Sequence, residues 1–108
     1  MQPNYTYHHI GIPTMEIKPG EVYLPQFGMY VSGFETSAFG IEWLRFDETT
    51  NQPALVQQVP HIAFEVPDLE AAIAGKELLI APNSPSEGVR VAFIVENGAP
   101  VEFLQIEK

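Results

Sequence analysis

The sequence contains no cysteine, which excludes disulfide bonds, thiolate metal sites and cysteine nucleophiles. It also has few basic residues: 5 lysines and arginines stand against 14 aspartates and glutamates, giving a formal net charge of −9. Nucleic acids and anionic membrane surfaces are bound by clusters of Lys and Arg, so neither is expected as a partner. No apolar run approaches the roughly 20 residues of a membrane-spanning helix, and no signal-peptide pattern precedes the first predicted strand. These absences predict a soluble, cytoplasmic protein.

The chain does contain enough apolar material for a core. Its 108 residues are 45% hydrophobic, which suits one compact domain or two tightly packed small modules. The clearest element is an alternating strand over residues 59–66. His61, Ala63 and Glu65 fall on one face of this strand, and apolar side chains fall on the other. One face is therefore predicted to be buried, while the other presents a histidine.

A short helix is predicted directly after this strand, over residues 68–75. Apolar residues repeat there with helical spacing, and Asp68 is placed to accept hydrogen bonds from the first turn as an N-cap. The remaining elements predicted for this half are a strand at 77–80, a loop at 81–88, a strand at 89–96, a turn at Asn97-Gly98 and a strand at 101–106. The second half therefore has the predicted order βαβββ.

The first half begins with a similar strand, at 5–12, but lacks a helix after it. Pro19, Gly20 and Pro25 interrupt the next stretch, and proline inside a helix costs about 3 kcal/mol or more. We therefore predict no regular helix over 14–26. The other elements predicted here are a short edge strand at 21–24, a strand at 27–32, a turn at 33–37, a strand at 38–46 and a polar connection at 47–58.

The two halves repeat one another at corresponding places. His-Ile-Gly-Ile at 9–12 matches His-Ile-Ala-Phe at 61–64, and Ile-Glu-Trp-Leu at 41–44 matches Val-Glu-Phe-Leu at 101–104. Each half thus has a histidine on its first strand and a glutamate on its last. Two copies of one supersecondary unit explain this order of elements.

These motifs resemble the vicinal oxygen chelate superfamily, which includes glyoxalase I, methylmalonyl-CoA epimerase, extradiol dioxygenases and the bleomycin-resistance proteins. The resemblance is carried by the segments at 8–13, 41–44, 60–69 and 97–106. It implies an α+β fold in which paired βαβββ modules form a curled mixed sheet, or cup. In this chain the first module is predicted to lack its regular helix.

Within that fold we predict a single glyoxalase-like domain over residues 1–108. A degenerate first module spans 1–50, the second module spans 59–108, and the linker is 47–58. The missing helix leaves one face of the first module's sheet without its usual cover, and the superfamily often forms dimers. We therefore predict a homodimer, with the irregular 14–26 segment or the sheet edges near the contact.

The resemblance also implies a metal site in the cup. Carried over residue by residue, its ligands are His9, Glu42, His61 and Glu102. Imidazole and carboxylate donors suit Zn, Ni, Co, Mn or Fe, and such an ion can polarise a substrate oxygen. In glyoxalase-like relatives a metal-bound glutamate serves as the base, which here would be Glu42 or Glu102. The implied activity is an isomerase, epimerase or lyase reaction on a small oxygenated substrate.

Other interpretations of these residues stay open at the level of sequence. His61 can be a half-exposed strand histidine that is bonded to a neighbour. His8 competes with His9, although strand alternation lets only one of them enter the cup. A carboxylate at Glu42 or Glu102 is costly beside apolar side chains unless a charge compensates it, which favours a metal. The alternative function is a non-catalytic protein that uses the same cup to sequester a small hydrophobic or cationic molecule.

Overall fold

The computed structural model describes residues 4–107, which form eight strands, two short α-helices and one 3₁₀ helix. The strands are β1 (Thr6–Pro13), β2 (Val22–Leu24), β3 (Met29–Ser32), β4 (Ile41–Phe46), β5 (His61–Glu65), β6 (Glu77–Ser86), β7 (Val89–Glu96) and β8 (Ala99–Ile106). The helices are α1 (Ala54–Gln58), α2 (Leu69–Ile73) and the 3₁₀ helix Phe34–Thr36. Hydrogen bonds order the strands β2-β3-β4-β1-β5-β8-β7-β6 in one mixed sheet, which confirms the predicted α+β class. No helix of the described residues is long and apolar enough to cross a membrane.

One compact unit comprises residues 9–61. In it β4 runs parallel to β1 and antiparallel to β3, and β2 pairs with β3 at the edge. Gly11 lies opposite Glu42, so these two residues share one face of the sheet. Trp43 and Arg45 are turned to the other face by the alternation of β4. The short edge strand predicted at 21–24 is confirmed as β2.

The segment between β1 and β2 is irregular, which confirms the prediction that it contains no regular helix. The ammonium of Lys18 lies 4.2 Å from the ring centre of Trp43. The guanidinium of Arg45 donates to both carboxylate oxygens of Glu21, at 2.7 and 2.8 Å, and lies 4.0 Å from the ring centre of Tyr30. This hydrogen-bonded pairing holds the pKa of Glu21 below its ordinary value. The irregular segment therefore covers the sheet face that carries Trp43 and Arg45, through the contacts of Lys18 and Glu21.

The other compact unit joins the described residues up to position 8 with residues 62–107. In it β5 runs parallel to β8, and β8, β7 and β6 pair antiparallel. The helix α2 packs on a core that includes Leu69 and Phe103, both almost fully buried. As predicted, the Asp68 carboxylate caps this helix by accepting from the Ala71 N–H, at 3.2 Å. The amide oxygen of Gln105 accepts from the Leu69 N–H at 2.7 Å and holds the same helix end.

Two predicted connections turn out differently. The predicted loop at 81–88 is wrong, because β6 continues through Ser86 with shifts in its register to β7. Prolines at 82 and 85 are tolerated there, since β6 is an edge strand of the described sheet and needs hydrogen bonds on one side only. The polar connection at 47–58 contains the helix α1, whose Val56 side chain is buried. A helix this short is marginal by itself, and burial of the Val56 side chain stabilises it through tertiary packing.

Candidate functional site

His9 lies on β1, and Gly11, two residues later in the same strand, shares its face. Its side chain is buried, and its Nε2 lies 3.6 Å from Oε1 of Glu42 on β4. The Glu42 side chain keeps 23% of its surface exposed. The parallel pairing of β1 with β4 explains the contact, because it places Glu42 directly opposite Gly11. Strand register therefore joins the predicted histidine and glutamate of the first module.

His61 begins β5 and is also buried. Its Nε2 lies 3.4 Å from Nε2 of His9, and the two rings meet edge to face at 83°. Two imidazole nitrogens can approach this closely when one donates an N–H to the other, or when both direct lone pairs at one cation. The predicted preference for His9 over His8 agrees with this contact. The arrangement offers two nitrogen ligands from residues separated by 52 positions in the chain.

The His61 ring occupies space that Gly11 leaves open. A Cβ added at Gly11 would lie 2.8 Å from both Nδ1 and Nε2 of His61, closer than real Cβ contacts allow. Gly11 does not have the positive φ that would explain a glycine on backbone grounds. Only the structure shows that the missing side chain at Gly11 accommodates the His61 ring.

Glu102 lies on β8, in register with Ala63 of β5 and with Phe93 of β7, and is buried. It belongs to the unit of residues 62–107, whereas His9, Glu42 and His61 belong to the unit of residues 9–61. Within the unit of residues 9–61 the structure brings together three of the four predicted ligands, because His9 contacts both Glu42 and His61. Two imidazoles and a carboxylate suit a borderline divalent ion.

Sequence reasoning missed one residue beside this cluster. The ring of Phe34 lies 5.8 Å from the His9 ring, edge to face at 79°. Phe34 opens the 3₁₀ helix after Gly33, whose φ of 90° lies in the left-handed region that favours glycine. The glycine correctly predicted a turn at 33–37. No local signal distinguishes Phe34 from the exposed Phe39 of the same connection, because the difference arises from packing against β1.

No protein-family model matches the sequence, and no curated protein matches it. Among solved structures, the fold is similar to that of the hypothetical protein BH1468 from Bacillus halodurans C-125, with 23% identity, coverage of 97% of this chain and 96% of that chain, and a TM-score of 0.74. It is also similar to methylmalonyl-CoA epimerase from Mycobacterium tuberculosis, with 19% identity, coverage of 95% and 89%, and a TM-score of 0.63. At these identities the likeness shows that the chain shares a fold with these two proteins.

Proposed function

We propose that this protein binds a divalent metal ion and catalyses a metal-assisted isomerase, epimerase or lyase reaction on a small oxygenated substrate. The observation that carries the proposal is the contact between the buried Nε2 atoms of His9 and His61, 3.4 Å apart, with Oε1 of Glu42 3.6 Å from Nε2 of His9. The structural likeness to a methylmalonyl-CoA epimerase supports an epimerase among these reaction types. In the proposed site His9, Glu42, His61 and Glu102 are the ligands.

A divalent ion at this position supplies Lewis-acid polarisation of a substrate oxygen. The residues of the chain supply the other requirements of proton transfer. Buried imidazoles and the buried Glu102 exclude bulk water from one side of the site, which strengthens electrostatic interactions there. We assign Glu42 as the first candidate base, because its 23% exposed side chain is accessible to a substrate while it contacts His9. Glu102 is the second candidate.

The proposed metal site is tested first by elemental analysis of the untagged protein. Metal is then removed with a chelator, and the metal-free protein is titrated calorimetrically with Zn, Ni, Co and Mn. We expect the His9→Ala and His61→Ala variants to lose most of their metal affinity. The matched control is His8→Ala, which removes an imidazole that strand alternation turns away from the site. Absence of binding by the native chain, or an equal loss in the His8 variant, would contradict the site.

Catalysis is tested separately from binding. Small α-hydroxycarbonyl compounds are incubated with the metal-loaded protein in heavy water, and exchange of the proton next to the carbonyl is followed by NMR. We expect exchange that depends on metal and is abolished in Glu42→Gln or Glu102→Gln. A protein that binds metal and small molecules but exchanges no proton in any of these compounds would instead be the non-catalytic sequestering protein, which is the alternative function.

A further inference from the structure

A tyrosine on the edge strand β2 of the unit of residues 9–61 is hydrogen-bonded to a carboxylate. The hydroxyl of Tyr23 donates to Oδ2 of Asp47, the residue that follows β4, at 2.7 Å. The other oxygen of that carboxylate, Oδ1, accepts from the backbone N–H of Thr49 at 2.8 Å and from the Thr49 hydroxyl at 2.6 Å. Thr49 therefore fixes the Asp47 carboxylate so that one of its oxygens lies on the phenol proton of Tyr23.

This geometry favours the loss of an electron from the Tyr23 ring. A phenol that has lost an electron is a strong acid, so its oxidation is easier when a positioned base takes the proton in the same step. The hydrogen bonds from Thr49 and from Tyr23 hold the pKa of Asp47 below its ordinary value, so this base is ionised at neutral pH. The bond to Asp47 also raises the pKa of Tyr23, so the phenol keeps its proton until it is oxidised.

The tyrosine stacked on Tyr23 is less suited to oxidation. The ring centres of Tyr23 and Tyr30 are 4.6 Å apart, and the guanidinium of Arg45 lies 4.0 Å from the ring centre of Tyr30. A cation over the face of a ring opposes the positive charge that electron loss creates there. Tyr23 is therefore the member of this pair that loses an electron more easily, and its side chain is 39% exposed to dissolved oxidants.

We propose that Tyr23 is the preferred site of nitration among the four tyrosines of the chain, through one-electron oxidation coupled to proton transfer to Asp47. A radical oxidant takes one electron from the ring while the phenol proton moves to Oδ2 of Asp47, which leaves a neutral tyrosyl radical and a protonated carboxyl group. Nitrogen dioxide, itself a radical, then forms a C–N bond at the ring carbon beside the C–O carbon. The hydrogen of that ring carbon moves through water to the phenol oxygen, and Asp47 releases its proton to water, so that 3-nitrotyrosine remains.

The test treats the purified protein with peroxynitrite in bicarbonate buffer, which supplies the carbonate radical as oxidant together with nitrogen dioxide. Peptide mass spectrometry at low conversion measures the nitration of each tyrosine. Exposure alone favours Tyr7, which is 47% exposed, whereas we expect Tyr23 to carry most of the nitro groups. Tetranitromethane reacts with the phenolate, so it should disfavour Tyr23, whose hydrogen bond to Asp47 raises the pKa of the phenol. Preference for Tyr23 with both reagents would show that accessibility selects it, and would overturn the inference.

Two variants identify the proton acceptor. Asp47→Asn keeps the shape of the side chain and removes the base, so it should lower peroxynitrite nitration of Tyr23 relative to Tyr7 by about tenfold, since a positioned base typically accelerates proton transfer by about a hundredfold or more. Glu48→Gln removes the same charge from the adjacent, exposed position and should leave the distribution unchanged. An equal loss in the two variants overturns the inference, and so does preferential nitration of another tyrosine in the native protein. The comparison of reagents on the native protein does not depend on how either variant folds.

Discussion

Gly11 and His61 are complementary in shape: a Cβ at Gly11 would lie 2.8 Å from two nitrogens of the His61 ring. The two residues lie on different strands, β1 and β5. Gly11 does not have a positive φ, so its backbone conformation does not require glycine. The absence of a side chain at position 11 is therefore explained by the ring that it faces.

Gly11→Ala is predicted to lower metal affinity by about ten- to a hundredfold without removing any proposed ligand, because the added methyl displaces the His61 ring. Calorimetric titration of the chelated variant with zinc measures this. The control is Gly20→Ala, where a Cβ has nothing within 4 Å but the φ of 74° strains the backbone. That control should reduce stability and leave metal affinity unchanged; native affinity in Gly11→Ala would count against the site.

Phe34→Leu is predicted to lower metal affinity by about two- to tenfold, because leucine retains bulk but loses the edge-to-face contact with His9. A second measurement uses the metal-free protein: the NMR chemical shifts of the His9 ring protons should differ between the native protein and Phe34→Leu, because the neighbouring aromatic ring is lost. Phe39→Leu is the matched control, as Phe39 is 76% exposed in the same connection. Equal effects of the two substitutions would show that Phe34 has no specific role in positioning His9.

Glu102→Gln is predicted to weaken metal binding by at least about tenfold, because an amide is a poorer ligand than a carboxylate and carries no charge to offset the ion. Glu65→Gln should weaken it much less, since Glu65 is not among the proposed ligands although it shares the same face of the sheet. Titration of both chelated variants side by side measures the difference. A larger loss in the Glu65 variant would require a different ligand set.

The ion pair between Glu21 and Arg45 predicts a pH dependence of stability. The Arg45 guanidinium lowers the pKa of Glu21 in the folded protein, so the pair stabilises the fold above the ordinary glutamate value of 4.5 and loses this contribution as the pH falls below it. Urea unfolding of native protein and of Glu21→Gln should therefore differ at neutral pH and converge in acid. A difference that grows as the pH falls would contradict this sign.

The homodimer stays a prediction. The 14–26 segment covers Trp43 and Arg45 with its own Lys18 and Glu21, yet Met15 and Ile17 in the same segment are 97% and 79% exposed. We expect light scattering at micromolar concentration to give a dimer mass and the Met15→Ser, Ile17→Ser double variant to give a monomer mass. Leu78→Ser, which removes an exposed apolar side chain elsewhere, is the control. A monomeric native protein would remove the prediction.

Local patterns in the sequence were sufficient for much of the fold. Alternation identified the strand at His61, the Asp68 carboxylate marked the start of α2, and Asn97-Gly98 predicted the turn between β7 and β8, where both residues have positive φ. Proline in the segment 14–26 excluded a helix there. Each of these features depends on residues within a few positions of one another, so the chain specifies them without knowledge of what packs against them.

Tertiary structure decided the features that depend on distant partners. The edge position of β6 let strand structure continue past Pro82 and Pro85, where the composition predicted a loop. Packing selected Phe34 over Phe39 as the ring beside His9. The approach of His9 to His61, across 52 positions of sequence, could be inferred only by resemblance. Strand pairing decides such contacts, because register brings together side chains that no local preference connects.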